Sequence, residues 1–223
     1  MTQPRHAALR DRRAQLALEF VALYLIAPLV MALLLPPQWM FPALFAVTAI
    51  GLVLLSRTPG FRWRDLLAGT ARIDFRLVAV FALATGAIGT AIVLALAPQA
   101  FLFLPRHNPR LMGLIAAFYP LVSALPQELI FRPLFFTRYR ALLPRWITAQ
   151  LLLNAALFSF AHLMYWSWVV TALTFAGGLV FAWSYRVRGN FPEAVVLHAV
   201  AGVILFALGA GVWFYSGNVT RPF

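Results

Sequence analysis

Apolar residues run along this chain in long, nearly unbroken stretches, and the polar positions collect in short clusters between them. A stretch of about 20 apolar residues is what a helix needs to cross a bilayer, and a helix can satisfy its own backbone groups in hydrocarbon. The pattern predicts about seven spans, near 15–35, 38–56, 76–97, 111–136, 146–165, 167–186 and 192–215. The expected fold class is all-α, a polytopic transmembrane helical bundle, with a basic leader over 1–14 and a single integral-membrane domain over 15–223. The fourth span is overlong and carries Pro120, Pro126 and Pro133. A break or kink is expected there, because each proline removes a backbone donor and pushes its predecessor off the α region. The segment RTPGFRWRDLLAGTARIDFR, 57–76, mixes arginines with Phe61, Trp63 and Leu66 and predicts a short amphipathic helix along the cytoplasmic interface.

Composition sets the solvent: 63% of residues are hydrophobic, 11% are charged and the mean hydropathy is +0.85, outside the range of soluble domains. Every basic position is arginine. Alternating seven spans from a cytoplasmic N-terminus puts the arginines at 5, 10, 12 and 13, those of 57–76 and 138–145, and those at 186 and 188 on the cytoplasmic side. Arg106, Arg110 and Arg221 fall outside and Arg132 within a span. The net charge of +12 is thus a topology signal and an attraction for anionic lipid of the bilayer. It does not read as a nucleic-acid surface, because the arginines occupy separate short loops without interleaved aromatic residues. With no cysteine, disulfide and thiolate chemistry are excluded. The basic start and apolar run of the first 35 residues are too long for a signal peptide and read as a retained span. A lysine-free, arginine-rich chain suggests a GC-rich bacterium, hence a multi-pass protein of the cell inner membrane. No internal repeat of the kind that marks a transporter is visible.

Function then rests on polar residues at membrane depth, which are costly there and usually face a bundle interior or a water-filled cavity. They are Gln127, Glu128 and Arg132 in the fourth span, Gln150, Asn154, Ser159 and His162 in the fifth, and Glu193 and His198 in the seventh. Glu128 and Arg132 stand at i and i+4, so they share a helix face and can pair. Taken alone they could be a structural ion pair. Two histidines on two further spans change that reading: together with a carboxylate and an amide they can hold a water, take its proton and stabilise an oxyanion. Gln127, Glu128, His162 and His198 are expected to line one cavity between the fourth, fifth and seventh spans. Counted from the cytoplasmic ends at 1.5 Å per residue, His162 should lie ~10 Å deeper than Glu128. Helix tilt and the broken fourth span would have to absorb that difference. Two histidines and a carboxylate could also be a zinc set, but no His-Glu-x-x-His string is present and Arg132 competes for the carboxylate. The reading preferred is one without metal or other cofactor.

Three strings, QELIFR (127–132), FSFAH (158–162) and HAVAG (198–202), resemble the motifs of the CPBP intramembrane proteases, named for CAAX and bacteriocin processing. The family pattern is Glu-Glu-x-x-x-Arg, Phe-x-x-x-His and His-x-x-x-Asn/Asp on separate helices, and the resemblance covers about 110–210. It implies an endopeptidase of glutamic type acting on a membrane-associated protein or peptide. By that resemblance Gln127 occupies the position of the base that activates water beside His162, Glu128 supports Arg132, Phe158 opens the second motif, and His198 and Gly202 occupy the oxyanion-hole positions. Two letters depart from the family: Gln127 replaces a glutamate and Gly202 replaces an asparagine or aspartate. Glutamine can position a water but cannot take its proton. Either Gln127 inactivates the site or Glu128 or His162 acts as base. The alternative is a catalytically inactive pseudoprotease that serves as a membrane scaffold or regulator.

Overall fold

The computed structural model describes residues 3–219 and 221, and among them all regular structure is helical. Among the described residues, six helices are long and apolar enough to cross a membrane: α1 Asp11–Leu33, α3 Phe75–Leu96, α4 Pro109–Arg138, α5 Ile147–Tyr165, α6 Trp168–Arg186 and α7 Phe191–Leu208. Between the first two lies α2, Met40–Ser56, 17 residues of apolar helix. At 1.5 Å per residue it is ~25 Å long, close to the ~30 Å hydrocarbon thickness. The protein is a multi-pass membrane protein with about seven spans. Of the expected basic leader, residues 1 and 2 lie outside the described residues; from Gln3 the backbone is helical and runs on into α1.

Short polar residues set the helix starts. Asp74 Oδ1 accepts the backbone N–H groups of Arg76 and Leu77 at the head of α3, each at 3.1 Å. Asn108 Oδ1 accepts from Leu111 N at α4, and Asn190 Oδ1 from Glu193 N at α7, both at 3.0 Å. Such caps satisfy the orphan amides of the first helical turn. The last span is shorter than expected: α7 ends at Leu208 because Gly209 turns left-handed, at φ 109°. A Cβ there would also run into the carbonyl of Ala100. Gly209→Ala is therefore expected to lower stability by about 1–3 kcal/mol, read as a lower unfolding midpoint in detergent; an unchanged midpoint would show that the turn relaxes freely. The segment 57–74 also differs from expectation. It forms two 3₁₀ turns, Trp63–Leu67 and Thr70–Arg72, in place of an amphipathic α-helix, as Pro59, Gly60 and Gly69 interrupt it.

α4 is not broken. It widens instead, with π-helical turns over Pro120–Ala124 and Ile130–Arg138 on either side of an α-turn Leu125–Leu129. A proline inside a helix leaves carbonyls without their usual donor, and a π-turn is one local adjustment that rearranges them. Two carbonyls in this region find side-chain partners on neighbouring spans: Ile130 O accepts the Tyr24 hydroxyl of α1 at 2.7 Å, and Phe131 O accepts the Asn154 amide of α5 at 2.7 Å. Every residue from Ile130 to Phe136 is buried, as expected of a helix packed on all sides. α2 packs along this half of α4, α7 contacts its earlier turns, and α5 packs on α6. Arg138, at the end of α4, donates to both Glu19 oxygens at 2.7 and 3.0 Å.

Candidate active site

The α4 turn at Leu125–Leu129 points two adjacent side chains in different directions. Neighbours on a helix are separated by about 100°, so Glu128 turns into the protein while Gln127 faces a cavity.

Glu128 and Arg132 are both fully buried. Arg132 Nε donates to Glu128 Oε2 at 2.7 Å and Nη2 to Oε1 at 3.3 Å, the fork geometry in which a guanidinium grips a carboxylate. Nη1 donates to Asn154 Oδ1. The flat cation also lies 5.2 Å from the ring centre of Phe158 and 5.8 Å from that of Phe181, so aromatic faces cover charge that lacks water. His198 completes the group. Its Nδ1 lies 2.9 Å from Glu128 Oε1, and because an ionised carboxylate only accepts, Nδ1 carries the proton. The imidazole stacks on Phe181, with centroids 4.9 Å apart and planes 8° apart, and meets Phe158 edge-on at 5.5 Å. Its free nitrogen, Nε2, lies 3.4 Å from the hydroxyl of Tyr119.

His162 stands between the α-helical part of α5, Ile147–Phe160, and its final 3₁₀ turn, Leu163–Tyr165. Its Nδ1 donates to the carbonyl of Phe158 at 2.8 Å, as a carbonyl can only accept. Nε2 is left with its lone pair. The ring meets Phe158 at 4.8 Å, so the two histidines bracket one phenylalanine, the residue that opens the FSFAH motif.

The cavity differs in place from the expected one. It has a volume of about 100 Å³ and lies between α1, α2, α4 and α5, with room for several waters. Gln127 and His162 line it together, along with Ser123, Tyr165 and an apolar wall that includes Met31 and Phe41. Glu128 and His198 are not in its wall; they sit behind it, bonded to each other. Gln127 donates its amide to Ser123 Oγ at 3.0 Å. Gly202 is buried on α7 beside Tyr119.

The other polar residues of the spans are committed elsewhere. Gln150 bonds Pro144 O and Arg186, Ser159 bonds Thr171 O, and Glu193 bonds Arg188, Ser184 and the backbone of Asp74. Sequence reasoning counted Asn154 as polar without seeing that it supports Arg132, and it missed Tyr119, Phe181 and Ser123. A glycine at 202 was a hint that some neighbour fills its space, but nothing local in the sequence says which.

Residues 108–204 match the family model described as Type II CAAX prenyl endopeptidase Rce1-like. The matched segment contains every residue of the three motifs and Tyr119. No curated protein and no solved structure matches the chain.

Proposed function

We propose that this chain, whose residues 108–204 match the Rce1-like CAAX prenyl endopeptidase model, is an intramembrane endopeptidase of CPBP type that hydrolyses a peptide bond of a membrane-associated protein or peptide. The observation that carries the reading is the tautomer of His162. With Nδ1–H held by the Phe158 carbonyl, Nε2 offers a lone pair to the cavity it shares with Gln127. Glu128 is a poor base, because Arg132 and His198 already occupy its oxygens. In this mechanism Gln127 holds a water and Nε2 of His162 takes its proton. The hydroxide adds to the peptide carbonyl, and the same imidazole returns the proton to the departing amine. His198, held by Glu128 behind the cavity, occupies the oxyanion-hole position of the family pattern.

The proposed reaction needs no metal, since the carboxylate that could ligate one is already held by Arg132. The test is cleavage of a fluorogenic apolar peptide in proteoliposomes by the parent and by His162→Ala. A loss of at least about 100-fold is expected on removing the base, whereas equal rates would overturn the reading. The amide of Gln127 and the missing side chain at Gly202 favour the second reading, a pseudoprotease acting as membrane scaffold or regulator, which predicts no cleavage by either protein.

The position of the cavity bears on the substrate. With the arginine-rich loops on the cytoplasmic side, the lining residues Met31, Phe41 and Met164 stand at the outer ends of α1, α2 and α5. The proposed substrate bond therefore lies in the outer half of a bacterial inner membrane. The absence of cysteine makes this directly measurable. A single cysteine at Phe41 or Met164 is expected to react with a membrane-impermeant thiol reagent in right-side-out vesicles and to be protected in inverted ones, with Arg64→Cys showing the reverse. Matching patterns for the cavity and Arg64 positions would reverse the assignment.

A further inference from the structure

Gly202 stands where the CPBP pattern places an asparagine or aspartate, one turn after His198 on α7. The space a side chain would need is taken: a Cβ built at Gly202 would overlap the ring and hydroxyl of Tyr119, which comes from α4. The phenol is aimed at the same histidine. Its oxygen lies 3.4 Å from His198 Nε2, and the two rings meet edge-on, 6.1 Å apart and 72° between planes. Phe206 of α7 packs against the phenol ring at 5.9 Å and fixes its position. The phenol lies behind the cavity, between the side chain of Ser123, which lines the cavity with Gln127 and His162, and the buried Glu128–His198 pair.

We infer that Tyr119 supplies the oxyanion-stabilising hydrogen bond that a side chain at position 202 would otherwise give; this inference rests on the hydrolytic reading above. The chemistry follows from the hydrogen-bond order. Glu128 accepts from His198 Nδ1–H, so when Nε2 also carries a proton it can donate to the Tyr119 oxygen. The phenol hydrogen is then free to turn about the Cζ–Oη bond toward the carbonyl oxygen of a bound peptide. When His198 is neutral, the same hydroxyl donates to Nε2 and the donor is parked. A side chain and a glycine have thus exchanged places between two helices: the donor arrives from α4, and α7 gives up a Cβ to admit it.

A purely structural tyrosine would leave a different signature from a donor, and three variants separate them. Tyr119→Phe keeps the ring and its contact with Phe206 but removes the hydroxyl. It is expected to lower kcat by about 100-fold, with KM and the unfolding midpoint near parental values, as for loss of one oxyanion donor. Tyr119→Ala is expected to lose as much or more. Adding Gly202→Asn to Tyr119→Ala, where the vacated space admits the side chain, is expected to recover at least tenfold over Tyr119→Ala alone. The series is run in the parent and in a Gln127→Glu background, with His162→Ala as the inactive control. Tyr119→Phe at parental kcat, or an Ala/Asn pair no faster than Tyr119→Ala, would overturn the inference while leaving the hydrolytic reading intact. Absence of His162-dependent hydrolysis in both backgrounds would overturn the hydrolytic reading and the inference with it.

Discussion

Replacing Arg132 with methionine is expected to lower stability by about 3–5 kcal/mol, the scale seen when one partner of a buried ion pair is removed. The size follows from what is left behind. Glu128 is fully buried and loses both guanidinium contacts, the 2.7 Å bond to Oε2 and the 3.3 Å bond to Oε1. Asn154 loses its donor from the same group, although it still holds the Phe131 carbonyl of the widened α4 helix. The measurement is thermal or denaturant unfolding in detergent. The double variant Glu128→Gln, Arg132→Met should recover part of the loss, because it buries no uncompensated charge, although His198 Nδ1 would then donate to a neutral amide. A single Arg132→Met with parental stability would mean that the carboxylate is not charged in the fold, and the proposed support for His198 would fall with it.

Gln127→Glu is expected to raise hydrolysis by roughly tenfold or more, short of the 10²–10⁴-fold that a positioned general base contributes where none is present, because His162 already takes the proton. Gln127 faces the cavity beside His162 and is hydrogen-bonded to Ser123 at 3.0 Å. A carboxylate at that place would accept the water proton that an amide cannot. Like-charge repulsion from the adjacent Glu128 is the competing effect, and it would raise one of the two carboxyl pKa values. The geometry weighs against it: Glu128 points away from the cavity and its charge is already matched by Arg132. The experiment compares the parent, Gln127→Glu and His162→Ala on one membrane peptide. A variant no faster than the parent, where the parent's activity depends on His162, would show that the position of the family's first glutamate is not the base position here.

Neighbouring residues came through unequally from sequence to structure. The pairing of Glu128 with Arg132 was legible because it is local: four residues on a helix make one turn, and a lone charge in hydrocarbon needs a partner. The break or kink expected at Pro120, Pro126 and Pro133 was a correct sign of disturbed hydrogen bonding, which takes the form of π-helical turns in a continuous helix. A chain surrounded by lipid cannot leave several backbone groups unsatisfied, so α4 widened and borrowed donors from Tyr24 and Asn154. The single cavity expected for four site residues resolved into a front and a back, Gln127 with His162 in the cavity and Glu128 with His198 behind it.

The sequence by itself determined the solvent, the helical class, the number and approximate ends of the spans, and the ion pair within α4. All of these follow from hydropathy and from contacts within a turn or two of chain. The tertiary structure alone decided which way each motif residue faces and which distant residue meets it. In water an apolar stripe marks the buried face of a helix, but in a bilayer both the lipid-facing and the core-facing sides are apolar, so hydropathy carries little information on helix rotation. That rotation is what turns Glu128 toward His198 across 70 residues of sequence. It also brings Tyr119 of α4 into the space beside Gly202 of α7, a meeting fixed by close packing of two whole helices.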